Sequence, residues 1–166
     1  KINGERHYLW RAVDHEGEVL ENFVTKTRDK KAALKFLKKT MRQYGRSDVI
    51  VTDRLRSYGA ALRDIGAADR QETGRWLNNR AENSHLPFRR RERAMLRFRR
   101  MRTLQKFASV HASVLNHFNS ERRLYSRANF KLNRAAALAD GAFFVPHRFA
   151  RLAANRDWFE FVDTTV

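Results

Sequence analysis

The chain has no cysteine and only two prolines and seven glycines. Without cysteine it forms neither disulfides nor thiolate zinc sites. No apolar run approaches the roughly 20 residues that a membrane-crossing helix needs, and no signal-peptide pattern opens the chain. These absences argue against a disulfide-stabilised secreted domain and a membrane-spanning protein, and we expect a cytoplasmic location without a membrane partner.

Acidic residues are scarce relative to basic ones. The chain has 35 Lys and Arg against 18 Asp and Glu, which gives a formal net charge of +17. Basic side chains that neutralise a phosphate backbone release its condensed counterions, and the gain grows with every contact. The charge therefore indicates a nucleic-acid partner. With 166 residues, the chain is long enough for one domain with appendages.

The beginning of the chain has the pattern of an antiparallel meander. Residues 7–13 and 19–25 are rich in aromatic, aliphatic and β-branched side chains, and the turn between them contains Gly17. We expect these two runs to pair as a hairpin. Residues 2–5 are then interpreted as the end of an earlier strand.

A helix, a strand and a second helix follow. Asp29 can cap a helix whose apolar residues recur every three or four positions until Gly45. The short run DVIVTD, which ends at Asp53, has the composition of a buried central strand. Ser57 then supplies an N-cap, and Gly66 a stop, for the next helix. The predicted order is β, β, β, α, β, α.

The second half of the chain begins with a helix near Asn78. We expect it to bend at Pro87, which lacks a backbone donor and clashes with the preceding turn. Residues 88–102 contain eight arginines and one glutamate, and apolar residues at helical spacing continue to Phe118. Such a one-sided charge is unlike an ordinary solvated face, so we interpret the stretch as a phosphate-binding helix.

Four segments carry a resemblance to a known family: NGERHYLWRAVD, TDRLRSYGAALRDIG, RWLNNRAENSHLPFRRRERAM and the helical stretch through NHFN. With the element order, they resemble the catalytic domains of bacterial insertion-sequence transposases of the DDE class, in particular insertion sequence family six. The resemblance covers residues 2–138. It implies an α/β, ribonuclease-H-like fold, a mixed sheet with flanking helices and a basic helical C-terminal region.

In that family two Asp residues and one Glu hold two divalent cations that drive cleavage and transfer of DNA strands. The resemblance places the second Asp at Asp53 and the Glu at Glu82, as catalytic and metal-binding residues. Hard carboxylate oxygens suit Mg²⁺ or Mn²⁺. The resemblance also implies DNA partners, namely transposon ends and target, and a homo-oligomer for the full-length protein.

The family places a DNA-contacting basic residue about two helical turns after the Glu, and Arg89 matches that position. Neighbouring arginines extend the expected DNA-binding surface, and His85, near Glu82, is a candidate for substrate contact. The expected DNA-binding residues are Arg89, Arg90, Arg91, Arg93, Arg97, Arg99, Arg100 and His85.

Two features depart from the family pattern. Its first Asp and an upstream helix-turn-helix segment precede the part that matches NGERHYLW, and we expect both to be missing here. Asp14 lies on the wrong side of the preceding strand to replace that Asp. After RAAALAD the resemblance stops. The expected domains are a truncated catalytic domain at 1–118, a helical extension at 119–140 and a divergent tail at 141–166.

With one ligand of three missing, the sequence predicts weak metal binding and impaired transposition. The alternative function is a non-catalytic basic DNA-binding protein derived from a transposase. Structural roles stay open for both carboxylates. Asp53 can cap a turn after its strand, and Glu82 can form a capping box with Asn79.

Overall fold

The computed structural model describes residues 2–74, 76–95, 98–119, 126–139 and 158–166. The strands are β1 (Tyr8–Asp14), β2 (Val19–Thr25), β3 (Val49–Thr52), β4 (Gln71–Glu72) and β5 (Trp158–Thr165). The helices are α1 (Lys30–Tyr44), α2 (Arg56–Ile65), α3 (Asn79–Ala94), α4 (Met101–Asn119) and α5 (Arg127–Ala139). Within these ranges, no helix has the length and apolar character needed to cross a membrane.

The five strands form one mixed sheet in the order β2-β1-β5-β3-β4. β1 is antiparallel to β2 and to β5, whereas β3 is parallel to β4 and to β5. The predicted hairpin of β1 and β2 is confirmed. The predicted strand before Asp53 is confirmed as β3.

The helix α1 forms as its sequence predicts. Asp29 is its N-cap, and the Oδ1 atom of Asp29 accepts a hydrogen bond from the N–H of Ala32 at 2.8 Å. The helix ends at Gly45, whose φ of 88° is a conformation that side-chain-bearing residues rarely adopt. Phe36 and Leu37 of its apolar stripe are fully buried, and Leu34 is partly buried.

The start of α2 differs from the prediction that Ser57 caps it. The helix begins at Arg56, and its N-cap residue Leu55 makes no side-chain capping bond. The N–H of Leu55 instead donates to Asp53 Oδ1 at 3.1 Å. The side chain of Asp53 therefore shapes the turn between β3 and α2, and Gly66 ends the helix as predicted.

Helices cover both faces of the sheet. On one face, α1 and α2 pack against Trp10, Ile50 and Phe161, with Trp10 meeting Tyr58 edge-on at a ring-centroid distance of 5.5 Å. On the other face lie α3 and α4, whose buried apolar residues are Ala81, Phe88, Leu104, Ala108 and Ala112. Successive residues of a strand point to opposite faces, so β1 and β5 contribute to both cores.

The arginine-rich stretch is divided between two helices, which corrects the prediction of a single basic helix. α3 continues through Pro87 without interruption and ends at Ala94, and α4 begins at Met101. Phe98, between them, packs against Phe107 with a centroid distance of 5.4 Å, and Phe107 packs against Phe88 at 5.5 Å. Burying these rings together favours a break in the helix over a continuous basic rod.

The sequence predicts a divergent tail at residues 141–166, but its last part lies in the middle of the sheet. β5 is hydrogen-bonded to β1 on one side and to β3 on the other. Phe159 and Phe161 are buried on the α1 side, and Val162 is buried on the α3 side. Residues 140–157 lie outside the described part of the chain. The tail therefore contributes a core strand of the domain.

Candidate active site

The carboxyl ends of β3 and β5 meet at one edge of the sheet. The two strands are parallel, and Thr52 of β3 is paired with Phe161 of β5. Asp53 directly follows Thr52, and Asp163 lies two residues beyond Phe161. The Asp53 side chain is 23% exposed and the Asp163 side chain is completely buried. In open α/β sheets, this edge is where ligands bind.

The two aspartates form an interacting pair. Burial, as the largest cause, raises the pKa of Asp53 to about 6 together with the charge of Asp163 and a hydrogen bond between the two side chains. The N–H of Leu55 and the charge of Arg28 oppose this shift. Two neighbouring carboxylates repel each other when both are ionised, so one of them retains a proton more tightly. A divalent cation bound to both would offset that repulsion.

Arg28, in the loop before α1, is the positive partner of this pair. Its Nε lies 2.5 Å from Asp163 Oδ2, and its Nη2 lies 2.9 Å from Asp163 Oδ1. The same Nη2 is 3.8 Å from Asp53 Oδ2. The Nη2 contact is a charge-assisted hydrogen bond, whereas the Nε contact is an ion pair without hydrogen-bond geometry. Arg28 therefore compensates part of the negative charge at this sheet edge.

Glu82 projects from the first turn of α3 into the same region. The helix starts at Asn79, and its N-cap residue Asn78 makes no side-chain capping bond, so the capping-box interpretation of Glu82 is wrong. Glu82 is exposed, and within the described residues its carboxylate has no hydrogen bond or ion pair. An open cleft is lined by Thr52, Asp53, Arg54, Gly74, Asn78 and Glu82.

A buried glutamate on β5 fixes the start of α3. Glu160 accepts hydrogen bonds from Arg80 Nη1 at 2.9 Å and from the N–H of Ala81 at 3.0 Å. A carboxylate at this position also interacts favourably with the positive end of the helix dipole. Because Ala81 precedes Glu82, Glu160 determines where the Glu82 carboxylate lies relative to β5.

A buried arginine on β1 fixes the next turn of α3. Arg11 donates from Nη1 to the carbonyl oxygen of Ser84 and from Nε to Asn22 Oδ1 at 2.8 Å. Its guanidinium carbon lies 5.2 Å from the centre of the Phe88 ring. Burial lowers the pKa of Arg11 to about 9. Two buried charged residues on adjacent strands thus hold the helix that carries Glu82.

The predicted DNA-binding arginines occupy different environments. Arg89 is half-buried and donates from Nη2 to Thr164 Oγ1 on β5 at 3.0 Å. Arg97 lies outside the described residues. The exposed members of the set are Arg90, Arg91, Arg93, Arg99 and Arg100.

His85 points into the protein interior. It is 6% exposed, and within the described residues neither ring nitrogen has a hydrogen-bond partner. Burial lowers its pKa to about 3, and the positive charges of Arg11 and Arg89 contribute. A neutral, enclosed imidazole does not present itself to a nucleic acid, so we leave His85 out of the proposed DNA surface.

Three residues of this region are missed by sequence reasoning: Arg28, Glu160 and Asp163. The segment WFEFVDTT does contain a usable signal, because FEFVD, like DVIVTD, is a short largely apolar run that ends in a carboxylate. Arg28 has no such signal, since its neighbour Asp29 accounts for the local pattern as a helix cap.

Comparison with known proteins gives consistent matches over the first three quarters of the chain. A family model of the IS240 transposase type, described as "DDE domain", matches residues 1–121. The chain is 34% identical over 90 residues to the "Transposase for insertion sequence-like element IS431mec" of Staphylococcus aureus (strain Mu50 / ATCC 700699), and this alignment covers 51% of the chain and 40% of the relative.

The "Transposase for insertion sequence element IS257 in transposon Tn4003" of Staphylococcus aureus matches with the same identity and coverage. The "Uncharacterized protein pYV0051" of Yersinia pseudotuberculosis is 31% identical over 65 residues, which are 37% of this chain and 61% of that protein. No solved structure matches the chain significantly. The matched part of the chain spans two fifths of the length of the two transposases.

The family match extends over most of the chain and includes both Asp53 and Glu82. The fold agrees with it, because the structure has a five-stranded mixed sheet with helices on both faces. The ribonuclease-H-like α/β fold predicted from the sequence is thereby confirmed. The chain belongs to the DDE-domain family of insertion-sequence transposases.

Proposed function

We propose that this chain is the metal-dependent catalytic domain of a transposase, which cleaves DNA at transposon ends and joins them to target DNA. The observation that carries the proposal is the cleft in which Asp53, at the end of β3, and Glu82, on α3, lie together. Each carboxylate is held by a separate rigid element, which is how a site maintains a fixed geometry.

The donor groups suit a hard divalent cation. They are carboxylate oxygens, the chain has no thiol, and the raised pKa of Asp53 shows that negative charge is costly here. Mg²⁺ or Mn²⁺ fits such a donor set best. A cation of this kind supplies activation of a water or a 3′-hydroxyl and stabilisation of the leaving oxygen.

The residues of the chain supply the positioning. The N–H of Leu55 orients Asp53, and Glu160 together with Arg11 fixes the helix that carries Glu82. Arg93 is exposed and lies on the same helix as Glu82, eleven residues on, which is about three turns and about 16 Å along the helix axis, so the two residues share a face. A phosphate backbone bound by the exposed arginines of α3 can therefore pass into the cleft.

The chemistry is tested with a labelled DNA duplex whose sequence is taken from the DNA that flanks the gene of this protein. Nicking of the duplex is measured in the presence of Mn²⁺. Asp53→Asn and Glu82→Gln each abolish nicking, because each removes a charged ligand without changing side-chain size. Asp48→Asn, an exposed residue just before β3, is the matched control and leaves nicking unchanged. Unaltered nicking by either site variant would contradict the proposal. DNA binding without any nicking or Mn²⁺ binding by the wild type would support the non-catalytic alternative instead.

The test of the DNA surface is the dependence of affinity on salt. Replacing Arg90 and Arg91 by Gln lowers the slope of log affinity against log salt by about 2, since each residue neutralises one phosphate. The control replaces Lys31 and Lys38 of α1, which are exposed across the sheet. An equal loss of slope in both variants would show that charge alone, and not this surface, determines binding.

We further propose that the full-length protein acts as a homo-oligomer, because joining two transposon ends in one event requires two copies of the site. Sedimentation of the full-length protein with and without end DNA tests this proposal. A monomer in the DNA complex would refute it.

A further inference from the structure

The strands β5 and β1 pair antiparallel, like the two strands of a hairpin. Their register connects the last residues of the sequence to its first residues. β1 and β5 pair antiparallel from Asp14 with Phe159 to Tyr8 with Thr165. The next pair is His7 with Val166, joined by hydrogen bonds of 3.3 and 2.9 Å. The pairing therefore runs without interruption to the last residue.

The same register is resumed by the first residues. If Lys1 is counted as the position after Val166, the following partners are Lys1 with Arg6 and then Ile2 with Glu5. The structure pairs Ile2 with Glu5 through two hydrogen bonds of 3.0 Å. Lys1 itself lies outside the described residues. By this count, the two described pairs, His7 with Val166 and Ile2 with Glu5, fall in one register.

The turn that closes the hairpin is also complete. Asn3 and Gly4 lie between the paired residues Ile2 and Glu5, with φ values of 51° and 82°. A type I′ turn, one of the two-residue turns whose twist matches that of paired strands, requires positive φ at both central residues, and Asn-Gly is its preferred sequence. Ile2 and Val166 are buried in one apolar cluster.

We propose that residues 158–166 are the first strand of this domain in a circularly permuted position, and that Asp163 is the third metal-binding carboxylate of the site. In space, the strand precedes residue 2 in a single hairpin, although in sequence it comes last. The ligand role of Asp163 rests on the function proposed above. It implies that the metal site is complete within this chain, contrary to the expectation from the sequence.

The position of Asp163 suits a ligand. It lies on the strand between β1 and β3, and its carboxylate contacts both Asp53 and Arg28. The Asp163 side chain is completely buried, whereas the Asp53 side chain is partly exposed. Exposure therefore increases from Asp163, in the interior, to Asp53, at the cleft. A divalent cation can replace the cationic partner of a buried carboxylate.

The permutation is tested with a rearranged chain that keeps all 166 residues and begins at Trp158, so that Val166 is joined to Lys1 and the chain ends at Asp157. The continuous register predicts that it folds to the same structure, with a melting temperature at least equal to that of the original order. It also predicts an unchanged affinity for Mn²⁺. A rearranged chain that does not fold, or that folds but loses Mn²⁺ binding, would overturn the permuted-strand proposal.

The ligand role is tested by Mn²⁺ titration calorimetry of Asp163→Asn and Asp53→Asn. Weakening of about a hundredfold in both supports both proposals. If only Asp53→Asn weakens binding, Asp163 is not a ligand and the proposed function stands. If only Asp163→Asn weakens binding, Asp53 is not a ligand and the ligand role of Asp163 stands. If neither variant weakens binding, both ligand roles fail.

A change in which metal ion is preferred distinguishes a ligand role of Asp163 from a purely structural role. Because the chain has no cysteine, Asp163→Cys introduces a single thiol. A thiolate ligand favours the soft ion Cd²⁺ over Mn²⁺ and gives an ultraviolet charge-transfer band on Cd²⁺ binding. The matched control is Thr165→Cys, an exposed position two residues along the same strand, which gives no such band at stoichiometric Cd²⁺. Equal bands in both variants, or none in Asp163→Cys, would count against ligation.

Discussion

Two groups of three acidic residues lie on this sheet, and they are built in different ways. The turn group, Asp14, Glu16 and Glu18, lies in the connection between β1 and β2, and its oxygens are within 4.8 Å of one another. The cleft group consists of Asp53 and Glu82, which line the cleft, and Asp163, which is buried beside Asp53. Among the described residues, these three do not all lie within that distance of one another. The two groups are separated along β5, since Asp14 is paired with Phe159, whereas Asp163 is paired with Trp10.

The difference lies in what satisfies the carboxylates. Asp14 Oδ1 accepts hydrogen bonds from the N–H groups of Glu16 at 3.0 Å and Glu18 at 2.9 Å, which is how an aspartate stabilises a turn. Asp53 accepts one backbone N–H and faces a second carboxylate. Closeness of acidic residues alone is therefore a poor sign of a metal site. Separate rigid elements that direct incompletely satisfied charges to one place are a better sign.

The largest effect is expected from loosening one element of the cleft group. Glu160→Ala leaves Arg80 and the N–H of Ala81 without their buried acceptor, so the free energy of unfolding falls by about 3 kcal/mol. Mn²⁺ affinity falls as well, because α3 carries Glu82. Urea denaturation and calorimetry measure the two effects. The control Glu16→Ala, in the turn group, changes stability by less than about 1 kcal/mol. Similar losses in the two variants would mean that β5 does not anchor α3.

The next effect separates the two groups by metal binding. Asp53→Asn weakens Mn²⁺ binding about a hundredfold, whereas Asp14→Asn leaves it within about twofold, because Asp53 has a single backbone donor and faces a second carboxylate, whereas Asp14 is held by two turn N–H groups. Titration calorimetry at neutral pH measures both. Loss of Mn²⁺ binding in Asp14→Asn, with retention in Asp53→Asn, would reverse the comparison and make the turn group the metal site.

A smaller effect in the opposite direction is expected at Arg28. Its guanidinium competes with a metal ion for Asp163 and repels a cation near Asp53. Arg28→Gln therefore binds Mn²⁺ about tenfold more tightly, which corresponds to about 1.4 kcal/mol. The control Lys26→Gln removes an exposed cation that pairs with Glu5 and leaves Mn²⁺ affinity unchanged. Weaker binding in Arg28→Gln would show that Arg28 is needed to orient Asp163.

The comparison also explains what the sequence can predict. β1, β2, β3, α1 and α2 follow from local periodicity and end signals, and Asp53 is found because its strand ends in a carboxylate. Glu82 is found only through the resemblance to a family. Contacts between distant positions leave no such trace: Arg28 and Asp163 are 135 residues apart, and nothing in the local pattern of either indicates the other. β5 is missed for the same reason, since its partners β1 and β3 lie in the first third of the chain.

Side-chain direction is a second limit of the sequence. Spacing places His85 and Arg89 on one face of α3, four residues apart, but it does not say whether that face is covered. The structure shows that β5 and β1 cover it, so His85 is buried and Arg89 is bonded to Thr164. Arg90, Arg91 and Arg93 are exposed, and their contact with DNA stays a prediction.

The smallest effect concerns the turn group itself. Asp14→Ala removes the acceptor of the two turn N–H groups, both of which reach solvent more easily than a buried group, so the loss of stability is about 1 kcal/mol. Burial raises the pKa of Asp14, which makes its ionised form less favourable and limits what the substitution can cost. Mn²⁺ affinity stays as in the wild type. Thermal unfolding with and without Mn²⁺ checks both expectations. Loss of a residue with only a structural role lowers both melting temperatures equally, whereas loss of a metal ligand reduces the difference between them.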